Sequence, residues 1–229
     1  MHENRLLQLL PAASLKRLEP HLKEVRPAYA AVLLEQDAHC EYGYFPLRPA
    51  VVSFTRQTES GAMIEVGIIG FEGFAGTSSL LDPRRQRDRG LLQSEGTLLE
   101  IRLEVVREEM ARDADLRNLI YRYLAAYLMQ VAQAALCNRL HTVEQRLAKW
   151  MLLFHDRAAD EFRMTQEFIA NMLGVRTAGV NEAIRGAEEA RLIGHARQRL
   201  TVLDREGLEA RACECYAAVK QEFDRIAEP

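Results

Sequence analysis

Hydrophobic and polar positions follow four different patterns along the chain. Up to about Val25, leucines recur at helical spacing and are interrupted by Pro11, which predicts a short helical cap. Over Tyr29–Leu103, apolar residues alternate with polar ones or form short runs between turn-prone residues. That spacing predicts a small antiparallel β sandwich or barrel. The stretch from Asp115 to about Arg139 contains neither glycine nor proline, which predicts one long helix.

An apolar stripe runs along the whole of this predicted long helix. The helix extends for roughly 36 Å at the usual rise of ~1.5 Å per residue. A stripe of that length needs a partner, and we interpret it as a dimer seam, with packing against the chain's own β domain as the alternative. The stripe consists of Leu116, Ile120, Tyr123, Tyr127, Val131 and Ala134.

Two short amphipathic helices joined through a glycine are predicted over Thr165–Arg185. Thr165 is a favourable N-cap for the first helix, and Gly174 supplies the positive φ that a tight turn between helices requires. A helix over Val143–Arg157 precedes the pair, and a last helix is predicted over Arg205–Ile226. The pair has the pattern of a helix-turn-helix, whose second helix enters the major groove of DNA.

The second helix of the pair exposes short or polar side chains that can reach base edges and phosphates. Gly194–Leu203 comes next and predicts a β-hairpin, or wing, with a basic turn. We therefore predict a winged helix-turn-helix in which Thr165, Arg197 and Arg199 also lie at the DNA. The side chains predicted to face outward from the second helix are Arg176, Thr177, Ala178, Asn181, Glu182 and Arg185.

Composition limits the class of protein. A chain of 229 residues with 48% hydrophobic content is long enough for two modest domains. The formal net charge of −3 excludes a uniformly basic nucleic-acid binder, but a helix-turn-helix needs only a local basic face. No apolar run reaches membrane-spanning length, and the N-terminus lacks the pattern of a signal peptide. We therefore expect a cytoplasmic protein without membrane contact.

The sequence predicts neither a metal site nor an enzyme. Cys213 and Cys215 are separated by a single residue, a spacing that is unusual for structural zinc. Nothing in the sequence places Cys137 and His141 near them. We interpret these cysteines as small buried residues, with a redox role for the close pair as the alternative. The sequence shows no nucleophile motif, phosphate loop or pair of catalytic acids. We therefore predict no metal, no cofactor and no catalytic residue.

Four segments stand out in sequence order: Tyr44–Pro46, Glu65–Gly73, Cys137–Leu147 and Thr165–Ile193. With these segments, the order of helical cap, β roll, long helix and winged helix-turn-helix resembles the Crp–Fnr family of bacterial transcription regulators. The resemblance spans essentially the whole chain. It predicts an α+β fold with a jelly-roll sensor domain at residues 1–112, a dimerisation helix and hinge at 113–140, and a winged helix-turn-helix domain at 141–229.

The resemblance implies a homodimer whose paired recognition helices read a palindromic DNA operator about 34 Å apart. It also implies contact with RNA polymerase in an activator and a small-molecule effector in the β roll, coupled to the DNA through a hinge near Asn138–Thr142. The alternative is a ligand-binding or oligomerisation module without specific DNA binding. By resemblance, the candidate residues of the effector pocket are Gly70, Phe71, Glu72, Gly73, Gln86 and Arg87.

The chain departs from the best-known members of that family. Cyclic-AMP binders hold the ribose with an acidic residue after the cassette glycine, whereas here Phe71 follows Gly70. Unpaired ribose hydroxyls would cost a cyclic nucleotide on the order of 1–3 kcal/mol, which argues against cyclic AMP. An iron–sulfur cluster is disfavoured because no cysteine precedes Cys40. Thr177, Ala178 and Glu182 differ from the usual base-reading residues, so the operator sequence cannot be carried over.

Overall fold

The computed structural model describes residues 3–158 and 160–228. Its N-terminal helical cap consists of α1 (Arg5–Gln8) and α2 (Ala12–Leu18), followed by a 3₁₀ turn, Glu19–His21. Proline lies between the two helices, as the pattern predicts. Asn4 caps α1 by accepting from the Leu6 and Leu7 N–H groups, and its amide donates to the Pro46 and Gly73 carbonyls at 3.0 Å each. That buried side chain thereby fixes the cap to the roll.

The roll is a pair of antiparallel sheets, which confirms the predicted β sandwich. Its strands are β1 (Lys23–Val25), β2 (Val32–Leu34), β3 (Tyr42–Pro46), β4 (Val52–Gln57), β5 (Met63–Ile69), β6 (Arg89–Leu92) and β7 (Leu98–Arg102). One sheet has the strand order β1-β7-β3 and the other β2-β6-β4-β5. A short helix, α3 (Thr77–Leu81), lies between β5 and β6. The hydrophobic pattern missed β1 and β6.

Two helices follow the roll, α4 (Leu103–Arg112) and α5 (Ala114–Leu140). Asp113 separates them and caps α5, because its carboxylate accepts from the N–H groups of Asp115 and Leu116 at 3.0 and 3.2 Å. The long helix is therefore confirmed to within one residue at each end, whereas α4 was not predicted.

The inner face of α5 packs against the roll of the same chain. The Tyr123 hydroxyl donates to the Phe74 carbonyl at 2.9 Å, and the rings of Phe54 and Tyr127 lie 5.5 Å apart, edge to face. Leu116 and Ile120 are also buried there.

These contacts correct the predicted dimer seam. Of the six residues assigned to it, Leu116, Ile120, Tyr123 and Tyr127 are buried within the chain, and Val131 and Ala134 are half-buried. The assignment of the four buried residues to the dimer was wrong, because their side chains fill the space between α5 and the roll. For Val131 and Ala134 it stays a prediction. The alternative of packing against the chain's own β domain is what the structure shows.

The C-terminal part contains a three-stranded sheet of order β8-β10-β9 and five helices. The predicted single last helix is two helices: Ala212 leaves the helical region at φ −69°, ψ 152°. That turn directs Cys213 toward Cys137 of α5. The elements are α6 (Val143–His155), β8 (Glu161–Arg163), α7 (Gln166–Leu173), α8 (Thr177–Glu189), β9 (Ile193–Ala196), β10 (Arg199–Val202), α9 (Arg205–Arg211) and α10 (Cys215–Arg225).

One continuous apolar core joins the roll, α5 and the C-terminal helices. It extends from Leu6 in the cap through Tyr123 to Trp150, Ile184 and Phe223. The two halves of the chain therefore pack against each other over a shared interior. Among the described residues, no helix combines the length and the apolar character needed to cross a bilayer.

Candidate nucleic-acid interface

The turn between α7 and α8 has the geometry of a helix-turn-helix. The Thr165 hydroxyl accepts from the Phe168 N–H at 3.1 Å and caps α7. Gly174 ends that helix in the left-handed region, at φ 62° and ψ 40°, where a side chain would be strained. Val180 and Ile184 are buried, which orients α8 against α7. The local prediction is confirmed in each of these details.

The outward face of α8 carries the predicted contact residues. All six are exposed to solvent. The first turn of α8 contains no acidic side chain, so the positive end of its dipole is open to an anion such as a phosphate. Arg185 lies 3.9 Å from Glu189 on the exposed surface, a pair that contributes little to stability. The six residues are Arg176, Thr177, Ala178, Asn181, Glu182 and Arg185.

The wing is the hairpin of β9 and β10, which pair in register from Ile193↔Val202 to Ala196↔Arg199. Its two turn residues, Arg197 and Gln198, have positive φ values of 49° and 64°, the backbone of a type I′ turn. Arg197 is exposed at the tip. Arg199 instead extends along the sheet and pairs with Glu161 of β8 at 2.6 Å. Of the two predicted wing contacts, Arg197 is therefore the better placed.

A different environment surrounds Glu72, on the side of α6 that faces the roll. Arg157 bonds to Glu72 at 2.7 Å, and each side chain is only 6% exposed. The Gly70 N–H donates to the same carboxylate oxygen at 3.1 Å. A Cβ at Gly70 would lie 2.8 Å from the Arg157 side chain, so this close approach requires glycine. The guanidinium of Arg48 stacks 3.7 Å above the ring of Phe71.

This arrangement corrects part of the predicted effector pocket. Arg157 binds one oxygen of the Glu72 carboxylate, and the second oxygen has no hydrogen-bond partner among the described residues. Gln86 is buried and accepts from the Ser79 hydroxyl at 2.8 Å, while Arg87 pairs with Asp82 at 3.2 Å. Phe71 and Glu72 line one cavity, and Gln86 and Arg87 do not. The prediction of one shared pocket is therefore wrong for Gln86 and Arg87, and it stays a prediction for the other four residues. The six residues concerned are Gly70, Phe71, Glu72, Gly73, Gln86 and Arg87.

A second carboxylate, the half-buried Glu65, links the roll to α6. The Trp150 indole N–H donates to it at 3.0 Å, and the Ser53 hydroxyl donates to its other oxygen. Burial raises the pKa of Glu65 to about 7. Sequence reasoning missed this residue, because Glu65 occupies a polar position of an alternating strand, where solvent is the expected neighbour.

The structure also brings together four residues that the sequence left apart. The thiol sulfurs of Cys137, Cys213 and Cys215 and a ring nitrogen of His141 all lie within 4.8 Å of one another. Nothing in the sequence predicts that Cys137 and His141 lie near the other two residues. The break between α9 and α10, which has no glycine or proline signal, is what creates the cluster.

Comparison with known proteins agrees with this architecture. Residues 145–211 match the model of the Crp-like helix-turn-helix domain. No curated protein matches the chain. Its structure is similar to that of a regulator assigned to the Crp/Fnr family from Eubacterium rectale, at 17% identity and a TM-score of 0.70, over 90% of this chain and 97% of that one.

Two further solved structures show the same likeness. FixK2 from Bradyrhizobium japonicum has 16% identity and a TM-score of 0.70, with 84% of this chain and 98% of that one covered. TTHB099, a CRP-family transcriptional regulator from Thermus thermophilus, has 18% identity and a TM-score of 0.66, with 82% and 96% covered. The chain thus carries a Crp-like helix-turn-helix domain and has the fold of the Crp/Fnr transcriptional regulators.

Proposed function

We propose that this protein is a homodimeric, sequence-specific DNA-binding transcription regulator. The observation that carries the proposal is the outward face of α8, where polar and basic side chains stand exposed beside a wing. The Crp-like match over residues 145–211 supports the same role. A cytoplasmic location and contact with RNA polymerase in an activator belong to this proposal.

Base readout and phosphate contact fall to different residues of α8. Glu182 can accept from cytosine N4, Asn181 can pair with adenine, and the Ala178 methyl can contact a thymine methyl. Arg176 and Arg185 lie at the edges of the exposed face and can hold phosphates, which position the helix without reading sequence. Thr165 acts mainly by fixing α7 beneath the recognition helix.

The dimer seam that we propose is the outer face of α5. Its large apolar side chains are exposed in the single chain, and the first two are seven residues apart, as in a coiled coil. A second copy of the same helix presents the same stripe of apolar side chains, so we propose that two copies of α5 pair through it. The face also lies on the helix that leads directly into α6 and the helix-turn-helix. Its exposed residues are Tyr121, Leu128, Leu136 and Leu140.

A charge on this face tests the dimer. We expect wild-type protein to have twice the 26.1 kDa chain mass in solution and Leu128→Glu to have the mass of one chain. Leu81→Glu is the matched control, because Leu81 on α3 is 61% exposed and Leu128 is 66% exposed. Light scattering after size-exclusion chromatography measures both. A Leu128→Glu variant that remains dimeric would place the seam elsewhere.

Selection of DNA by the ligand-free dimer tests the function itself. Purified protein is incubated with random duplexes at two salt concentrations, and the bound fragments are sequenced. We expect a palindromic motif with half-sites about 34 Å apart that survives the higher salt. Recovery of only salt-sensitive, unrelated fragments would show binding through phosphates alone and would contradict sequence-specific function in the free state.

A further inference from the structure

The cluster of Cys137, His141, Cys213 and Cys215 lies at the joint between the long helix and the C-terminal domain. Cys137 is in the last turn of α5, and His141 is the residue that ends it. Cys213 precedes α10, and Cys215 is its first residue. Two segments that are distant in sequence therefore meet at one point.

Two of the distances within the cluster are close to those around a single tetrahedral zinc ion. Zinc binds thiolate sulfur at about 2.3 Å and imidazole nitrogen at about 2.0–2.1 Å. A tetrahedron with those bonds separates two sulfurs by about 3.8 Å and a sulfur from a nitrogen by about 3.5 Å. The Cys137 and Cys213 sulfurs lie 3.6 Å apart, and the Cys215 sulfur lies 3.4 Å from His141 Nδ1.

Neighbouring groups orient two of the four side chains, His141 and Cys215, toward the cluster. Glu214 lies 3.3 Å from His141 Nε2, so Nδ1 is the nitrogen that faces the sulfurs. A carboxylate on the second ring nitrogen is the usual partner of a histidine that binds zinc. The Gln133 amide donates to the Cys215 sulfur at 3.1 Å, a bond that favours the thiolate. All three cysteines are buried.

A disulfide explains the cluster less well. A bond between Cys137 and Cys213 would require the sulfurs to move from 3.6 Å to about 2.05 Å, and it would leave Cys215 and His141 without a role. A shared cation accounts for the positions of all four groups together. Three thiolates and one imidazole also favour zinc over the harder cations that oxygen ligands bind.

We propose that Cys137, His141, Cys213 and Cys215 bind one zinc ion in tetrahedral geometry. Three sulfur–zinc bonds and one nitrogen–zinc bond form, and the three thiols release their protons to solvent. The ion fixes the end of α5 to the connection between α9 and α10. It therefore sets the angle of the joint that carries the recognition helix, a consequence that rests on the proposed function.

Cobalt(II) titration of the full chain tests the site without DNA. Protein is reduced, stripped of metal with a chelator and titrated with cobalt(II) as a spectroscopic substitute for zinc. We expect saturation at one cobalt per chain, with thiolate charge-transfer bands and the intense visible bands of tetrahedral cobalt. Zinc added afterwards removes those bands. Absence of saturable tetrahedral cobalt binding by the wild-type chain would overturn the proposal, whatever the variants do.

Two variants separate this site from the remaining thiol. Cys213→Ser removes one ligand. Loss of a side chain that only orients a ligand weakens metal binding by about 10–100-fold, so loss of the ligand itself is expected to weaken cobalt binding by more than about 100-fold. Cys40→Ser is the matched control, because Cys40 is half-buried in the roll and lies outside the cluster. We expect it to bind cobalt as the wild type does. Equal affinity in Cys213→Ser and Cys40→Ser would overturn the assignment of ligands.

Discussion

The C-terminal domain carries arginines on two faces, and they are exposed to solvent on one face and buried in an ion pair on the other. On the outward face, Arg176 and Arg185 are exposed to solvent beside Glu182. On the face toward the roll, Arg157 and Glu72 are each only 6% exposed and bond to each other. The same residue type therefore has two roles. An exposed arginine is available to a phosphate, whereas the buried Arg157 holds the C-terminal domain against the roll.

The largest expected difference between the faces is in stability. The second oxygen of Glu72 has no hydrogen-bond partner among the described residues, so Arg157 and the Gly70 N–H provide its main compensation. Arg157→Leu leaves a buried carboxylate unpaired and is expected to cost about 3–5 kcal/mol of unfolding free energy. Arg199→Leu breaks the exposed pair with Glu161 and is expected to cost less than about 1 kcal/mol.

Urea denaturation of both variants measures this difference. Equal losses for Arg157→Leu and Arg199→Leu would contradict the contrast between the faces. Double substitution of Arg157 and Glu72 by leucine and methionine is expected to recover much of the loss, because it removes the unpaired charge together with its partner.

The second expected difference concerns pH. Because burial raises the pKa of Glu65 to about 7 from an ordinary 4.5, the folded chain holds this proton more tightly than the unfolded chain. Its contribution is complete below about pH 4.5 and is lost as the pH rises through about 7. Glu65 retains some exposed surface, so the loss is at most about 3 kcal/mol.

Glu65→Gln isolates that contribution, since glutamine imitates the protonated side chain without titrating. Between pH 5 and 8, unfolding free energy of the wild type is expected to fall relative to that of the variant. Denaturation series at several pH values measure the two slopes. Parallel curves for wild type and Glu65→Gln would show that Glu65 titrates normally.

The smallest expected effect is at the tip of the wing. Gln198 holds a positive φ of 64°, a conformation that costs glycine nothing. Glycine removes the strain of this conformation but also raises the conformational entropy of the unfolded chain, which offsets part of the gain. Gln198→Gly is therefore expected to stabilise the fold by a net few tenths of a kcal/mol. Ala196→Gly, in strand β9, is the control and is expected to destabilise. Thermal melting compares the two, and a loss of stability in both would contradict the turn assignment.

Local signals made the helix-turn-helix predictable. The cap at Thr165, the left-handed turn at Gly174 and the buried spacing of Val180 and Ile184 depend on residues within twenty positions of one another. The strands of the roll that have alternating patterns also depend on neighbouring residues, and so does the start of α5 after its N-cap, Asp113.

Contacts distant in sequence could not be predicted in the same way. Glu72 meets Arg157, and Glu65 meets Trp150, across 85 positions in each pair. The inner aromatic residues of α5 and its outer leucines both have helical spacing, so the sequence of α5 alone does not determine which face is buried. Contact with the roll determines it. The cluster of Cys137, His141, Cys213 and Cys215 depends on a break at Ala212, where the sequence has no turn-forming residue.

The central claim is that the exposed face of α8 reads DNA sequence, and base-specific affinity tests it most directly. With the selected duplex and a scrambled one, binding is measured for wild type, Glu182→Ala and Arg176→Ala. Glu182→Ala is expected to reduce discrimination at one base pair by about 1–3 kcal/mol, whereas Arg176→Ala weakens binding to both duplexes alike. Equal losses on both duplexes for both variants would contradict the claim.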